Sequence, residues 1–213
     1  MILTLSGYEG SGKSTLVEML KEKNNFLVVP ETARLLIPLE NTVFEESKDE
    51  LSYKSFIAYL GSSHFIFENN LAEKNSVVFD RNIIDSLTYL ELYSDQNIDL
   101  VKLQDYIDMF LEDKNQKTLY DEVLLLNHSK DKDYIRNTIM ADDVRLYSDS
   151  PNKYLEKAKE WQDIYISKYD QLKNIGKRLS VIQSYPDNLN VKEDLNKVLK
   201  TSEKKVRKRL KMK

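Results

Sequence analysis

The chain has 213 residues, enough for one substantial core, and its hydrophobic fraction of 41% excludes a disordered protein. It has no cysteine and two histidines, which excludes disulfides, cysteine-ligated zinc and a histidine-rich metal centre. The net charge of −3 is uneven: the segment from Lys200, KTSEKKVRKRLKMK, carries +7, and the remaining chain carries −10.

The first element is the apolar run Ile2–Leu5 (ILTL), which reads as a strand buried on both faces. Directly behind it stands GYEGSGKST. Three of the chain's five glycines, Gly7, Gly10 and Gly12, fall there. Gly7-Tyr8-Glu9-Gly10-Ser11-Gly12-Lys13-Ser14 matches G-x-x-x-x-G-K-[ST], the phosphate-binding loop, between a strand and an amphipathic helix as that motif requires. Glycines let the loop wrap closely, so that successive backbone N–H groups point at phosphate oxygens. The helix that opens there adds its positive dipole end. Lys13 is expected to reach the β and γ phosphates and the Ser14 hydroxyl to ligate Mg²⁺.

The following helix covers Lys13–Asn24, with apolar positions at Leu16, Val17 and Leu20. Phe26–Val29 (FLVV) is the second strand, and Glu31 stands just past its end. That carboxylate faces the same crevice as the loop. It is a candidate base for an attacking hydroxyl, a ligand to Mg²⁺ through water, or an acid favoured by a helix N-terminus. Arg34, one turn on, either touches phosphate or sits at the surface. A helical pattern over Ser47–Lys74 is broken near Gly61.

Val77–Phe79 (VVF) is the third strand. Asp80 follows it and is either the acid that holds the Mg²⁺ water shell in phosphate-loop enzymes or an ordinary helix cap. Arg81 is a candidate clamp for the acceptor or its phosphate. Asp85 is either a second acceptor-site acid or an exposed helix residue. Helices Ile83–Tyr93 and Leu100–Leu111 lead to the fourth strand, Val123–Leu126. The polar stretch from Asn127 to Arg145 reads either as a solvated loop or as a lid over about 128–150 that brings an arginine, Arg136 or Arg145, to the developing charge. His128 reads as a strand-end surface residue. Ser150-Pro151 is a helix start, serine as cap and proline at the first position, for a helix running towards Ile175. Leu179–Gln183 is the fifth strand, and Asp187–Lys200 the last helix. The basic segment beyond is a solvated helix end or a contact for a nucleic acid or another anionic surface.

Strand and helix thus alternate five times. This predicts an α/β three-layer sandwich: a five-stranded parallel sheet wrapped by helices through right-handed crossovers, with ligands at the carboxyl ends of the strands. The simplest division is one domain over residues 1–199 and a basic tail over 200–213. No apolar run approaches the ~20 residues of a membrane helix. Glu9 and the glycine cluster exclude a signal peptide at the N-terminus, so no membrane partner and a cytoplasmic location are expected.

Taken in order, GYEGSGKST, PETARLL, FDRNIIDSLTYLELY and DDVRLYSD, followed by a long helix and the short strand LSVIQ, resemble the NadR-like AAA family of ATP-binding proteins. That family lies within the P-loop nucleoside and nucleotide kinase group, and the resemblance spans roughly residues 1–200. It implies five parallel strands with the third beside the first, ATP and Mg²⁺, and a small-molecule acceptor. It also implies that Gly12, Lys13, Ser14 and Thr15 occupy phosphate and metal positions. Glu31 matches the acid that serves deoxynucleoside kinases as base. Asp80 and Arg81 match the Asp-Arg pair also seen in thymidylate kinases, and Arg145 the arginine of D-x-x-R. Asn82-Ile83 departs from the glycine and aliphatic residue usual after that pair.

These readings converge on a kinase acting on a nucleoside-like or nucleotide-like acceptor. The alternatives are a regulatory NTPase, whose nucleotide sets a conformation read by a partner, and an enzyme of nucleic-acid ends tethered by the basic tail. The acidic body weighs against the last, because it repels a polyanion.

Overall fold

The computed structural model describes residues 1–24, 26–31, 76–93, 99–140, 150–184 and 187–210. The helix expected over Ser47–Lys74, together with Arg34 and Arg145, lies outside the described residues.

Five strands form one parallel sheet. They are β1 (Ile2–Gly7), β2 (Phe26–Val29), β3 (Ser76–Asp80), β4 (Glu122–Asn127) and β5 (Leu179–Gln183), in the order β2-β3-β1-β4-β5. The third strand lies beside the first, as expected. β1 is central, pairing Leu5 with Asp80 on one side and with Leu124 on the other. That register brings the end of β3 level with the start of the glycine loop.

Successive side chains of β1 point to opposite faces. Leu3 and Leu5 join Val78, Leu124 and Leu126 under α1 (Lys13–Asn24) and α6 (Val191–Leu210). The opposite face carries Val77, Phe79, Val123 and Leu125. It is covered by α2 (Ile83–Tyr93), α3 (Leu100–Asp113) and α5 (Pro151–Gln171), with Trp161 and Tyr165 of α5 fully enclosed. Both faces are therefore buried, which explains why the strands read as continuous apolar runs. Thr4 and Ser6 of β1 are the exception, two buried hydroxyls turned towards α2 and α5.

Helix ends follow local chemistry. Asp99 caps α3 by accepting from the Val101 N–H at 3.1 Å and the Lys102 N–H at 3.2 Å. Ser150 caps α5, with Pro151 at its first turn. That helix stops at Gln171 rather than near Ile175. Leu172 is already extended, and the Ile175 carbonyl is taken by the Tyr120 N–H at 2.9 Å, tying the chain to the start of β4. The last helix starts at Val191 rather than Asp187, because Asp187 is engaged elsewhere, accepting from the Ser129 hydroxyl and the Lys130 N–H. α6 then runs past Lys200 to Leu210. The polar stretch after β4 contains a helix, α4 (Lys132–Met140). Among the described residues, no helix is long and apolar enough to cross a membrane.

Candidate active site at the glycine loop

The loop leaves the carboxyl end of the central strand. Gly7 lies so close to β4 that a Cβ there would stand 2.7 Å from the Leu126 carbonyl oxygen. Gly10 has φ +71° and is pressed from outside, since an added Cβ would meet the Tyr154 hydroxyl at 3.0 Å and Thr138 Cγ2 at 3.1 Å. Only glycine fits both demands. Tyr154, near the start of α5, donates its hydroxyl to the Glu9 carbonyl. Tyr8 packs among Tyr154, Trp161 and Tyr89, with ring centroids 5.2, 6.2 and 6.4 Å away. The loop is thus braced by aromatic side chains of α2 and α5, which composition alone does not reveal.

Lys13 opens α1 and is buried. Its Nζ donates to the carbonyls of Gly7 at 2.6 Å and Tyr8 at 3.0 Å. Burial pushes its ammonium down to about 7, with Arg81 adding to the effect and Asp85, Asp80 and Glu31 opposing it. Ser11 is buried within the loop, while Ser14 and Thr15 face solvent on the first turn of α1.

The residues after β2 and β3 meet beneath the loop. Glu31 is buried and forms an ion pair with Arg81 Nε. Arg81 is buried as well, and its backbone has φ +76°, a left-handed conformation that costs a non-glycine residue roughly 1–2 kcal/mol. That turn lets its N–H donate to the Leu5 carbonyl at 2.8 Å, while Nη1 reaches Asp85 and the Tyr89 hydroxyl, each at 3.3 Å, and the Gly7 carbonyl at 3.5 Å. The guanidinium also stands 5.0 Å over the Tyr89 ring. Burial disfavours its charge, but Tyr89, Glu31 and Asp85 outweigh that and raise its pKa well above the ordinary value.

Asp80 ends β3 as a buried carboxylate. Asp85, read from sequence as an acceptor-site acid or an exposed helix residue, is not exposed: it is 1% accessible. Burial raises its pKa, against the opposing pull of Arg81 and Ser6. Asn82, the residue that departs from the resembled family, is also enclosed and donates through Nδ2 to Ser6 and Tyr165, each at 2.9 Å. Ser6, Asn82 and Tyr165 were not candidates from sequence. The signal available was a polar residue inside an apolar strand, Ser6, that needs a partner.

Of the two lid arginines, the described one is not brought to this cluster. Arg136 is exposed on α4 and pairs with Asp133 at 3.0 Å, and Arg145 lies outside the described residues. His128 is half-buried rather than at the surface, its ring edge-on to Tyr154 at 6.5 Å.

A family model described as AAA domain matches residues 3–182. The chain belongs to that AAA domain family. Among solved structures, deoxyadenosine kinase from M. mycoides with dCMP and dCDP bound is similar at TM-score 0.54 and 16% identity, over 94% of this chain and 97% of that one. The same enzyme with bound dATP gives TM-score 0.52 at 20% identity, over 94% and 98% of the two chains. NadR protein in complex with NR gives TM-score 0.60 at 18% identity, over 88% of this chain but 46% of NadR. At these identities the likeness establishes the fold: a kinase-like phosphate-loop α/β sandwich. No curated protein sequence matches the chain.

Among the described residues, no group of three or more His, Cys, Asp or Glu side chains is placed to hold a metal ion. A buried carboxylate at Asp80 and a hydroxyl at Ser14, beside a loop built for phosphate, fit an ion that takes most of its ligands from phosphate and water. Mg²⁺ is an ion of that kind.

Proposed function

We propose that this AAA domain protein transfers the γ-phosphoryl group of ATP to a hydroxyl of a nucleoside-like small molecule. The carrying observation is the buried pair of Glu31 and Arg81 under the loop that bears Lys13. Lys13 and the loop N–H groups hold the triphosphate. Glu31 accepts the proton of the acceptor hydroxyl as its oxygen bonds to the γ-phosphorus. The bond to the β,γ-bridging oxygen breaks, and ADP leaves. Arg81 stabilises charge on the phosphoryl group in transit. Ser14 and Asp80 would hold Mg²⁺, which would neutralise charge on the triphosphate when bound. Such transfer is mainly positioning plus electrostatics.

A hydroxyl acceptor suits the charges better than a phosphate acceptor. Among the described residues, Lys13 and Arg81 are faced by Glu31, Asp80 and Asp85. A second dianion would enter an already negative cluster. The solved structures of similar fold, with dATP, with dCMP and dCDP, and with NR, lend support to nucleotide and nucleoside ligands.

A mass-spectrometric product screen tests this. Protein, ATP and Mg²⁺ are incubated with separate pools of nucleosides, nicotinamide riboside, nucleoside monophosphates and a 5′-hydroxyl oligonucleotide, with Lys13→Ala as blank. A phosphorylated nucleoside-type product that disappears with Lys13→Ala is expected. Deleting residues 200–213 leaves its rate unchanged. ATP loss without any phosphorylated acceptor overturns the proposal in favour of a regulatory NTPase.

A further inference from the structure

Asp85 is the one carboxylate of the cluster to which the reading above gives no task, and its surroundings are built around it. Both oxygens are committed. Oδ2 accepts from the Ser6 hydroxyl at 2.7 Å and the Asn82 N–H at 2.9 Å, and Oδ1 accepts from Arg81 Nη1 at 3.3 Å. Ser6 in turn accepts from the Tyr165 hydroxyl at 2.8 Å and from Asn82 Nδ2 at 2.9 Å. Three separate elements, the central strand, the turn after β3 and helix α5, therefore fix one carboxylate.

Helix capping accounts for only one of these bonds. Asn82 caps α2, its Oδ1 accepting from the Ile84 N–H at 2.8 Å, and Asp85 Oδ2 closes the capping box by accepting from the Asn82 N–H. A capping box needs neither of the other partners, whereas Asp85 is enclosed, accepts from Ser6 and turns its second oxygen to a guanidinium. Burying a carboxylate this deeply is unfavourable unless it is paired and hydrogen-bonded.

Arg81 carries one positive charge and faces two carboxylates, Glu31 at Nε and Asp85 at Nη1. If Glu31 takes a proton from the acceptor, its half of the pairing becomes neutral and weakens. Asp85, anchored through Ser6, Asn82 and Tyr165, keeps its charge and its contact. We infer that Asp85 is a positioning residue that retains the Arg81 guanidinium beneath the glycine loop while Glu31 changes charge. The catalytic part of this rests on the proposed phosphoryl transfer; the anchoring part does not.

Two arms test it separately. The first uses protein labelled with ¹⁵N-arginine, the Arg81 signal being assigned with Arg81→Lys. The slowly exchanging guanidinium N–H signal is expected to persist in Glu31→Gln and to broaden into solvent exchange in Asp85→Asn. Persistence in Asp85→Asn with loss in Glu31→Gln overturns the inference. The second arm is kinetic. Asp85→Asn is expected to lower kcat about 10- to 100-fold while KM for ATP stays within about threefold, since only the geometry of a charged group is disturbed. An unchanged kcat, or a loss confined to KM, overturns it. If Asp85→Asn does not fold, Tyr165→Phe and Ser6→Ala loosen the same carboxylate and take its place, with an unchanged Arg81 signal and kcat as the overturning result. If the wild type phosphorylates no acceptor, the functional reading fails, while the spectroscopic arm still decides whether Asp85 anchors Arg81.

Discussion

The hydroxyl of Tyr154 donates to the backbone carbonyl of Glu9, 145 positions away, so the first turn of α5 is fastened to the glycine loop. Removing that hydroxyl in Tyr154→Phe costs about 1 kcal/mol of stability, the usual net value of one such bond. The loosened loop is expected to bind ATP several-fold more weakly. Trp161 is the chain's sole tryptophan and lies 6.2 Å from Tyr8, so its fluorescence during an ATP titration reports the affinity directly. Unaltered affinity and melting temperature would show that the bond is incidental.

Gly10→Ala is expected to weaken nucleotide binding and lower the melting temperature for two reasons. Its backbone is left-handed, and the new methyl group meets Tyr154 and Thr138. Because the Tyr154 hydroxyl is one of the atoms met, the two substitutions are coupled. In the Tyr154→Phe background, Gly10→Ala should cost less than it does alone. Strict additivity in this double-mutant cycle would mean that the Tyr154 hydroxyl adds nothing and that backbone strain and Thr138 account for the effect.

Glu122 supplies a control remote from the loop. It is buried at the start of β4 and accepts from Arg178 Nε at 2.8 and 3.1 Å and from the Ser180 hydroxyl at 2.6 Å. Glu122→Gln weakens charge-assisted bonds worth about 1.5–3 kcal/mol each in stability. Chemical denaturation should record a drop of roughly that size, while ATP affinity of the folded protein stays the same. A matching loss of affinity would mean that β4 and β5 transmit to the site.

His128 introduces a pH dependence on the acid side. Burial, followed by the charge of Lys130, lowers its pKa below 6.5, with Asp187 opposing. The unfolded chain therefore takes up this proton at higher pH than the folded one does. Stability is full above 6.5 and falls as pH drops through 6.5 towards the folded-state value. Melting temperatures measured across that interval should decline, and His128→Gln should flatten that part of the profile. An identical slope in the variant would assign it to other groups.

The glycine loop, the five strands and the order of the elements are readable from the sequence because each depends on neighbours in the chain. Continuous apolar runs and a strand–loop–helix motif are local patterns. Asp80 and Arg81 are readable for the same reason, as polar residues at the end of an apolar run. What surrounds them is not. Ser6 and Asp85 lie 79 positions apart, and their contact depends on β1 and β3 pairing in one register. Nothing local marks Arg81 as left-handed, since that conformation is normally left to glycine. Asp85 resembles any first-turn acid until its partners are known. Arg136 illustrates the opposite failure: charge and chain position suggested a role at the transferring phosphate, yet it lies on the exposed side of α4 with Asp133.

The central place of β1 has a consequence for how the protein is made. The Ile2 N–H bonds to the Asp121 carboxylate, 119 positions later, and both neighbouring strands are synthesised long after β1 emerges. During translation the strand that will carry the glycine loop has no partner on either side. Its apolar run stays available to chaperones, or to other nascent chains, on one side until β3 and on the other until β4 has left the ribosome. Late pairing over such separations slows folding. Fusing a solubilising domain ahead of Met1 should therefore raise soluble yield more than the same domain placed after Lys213.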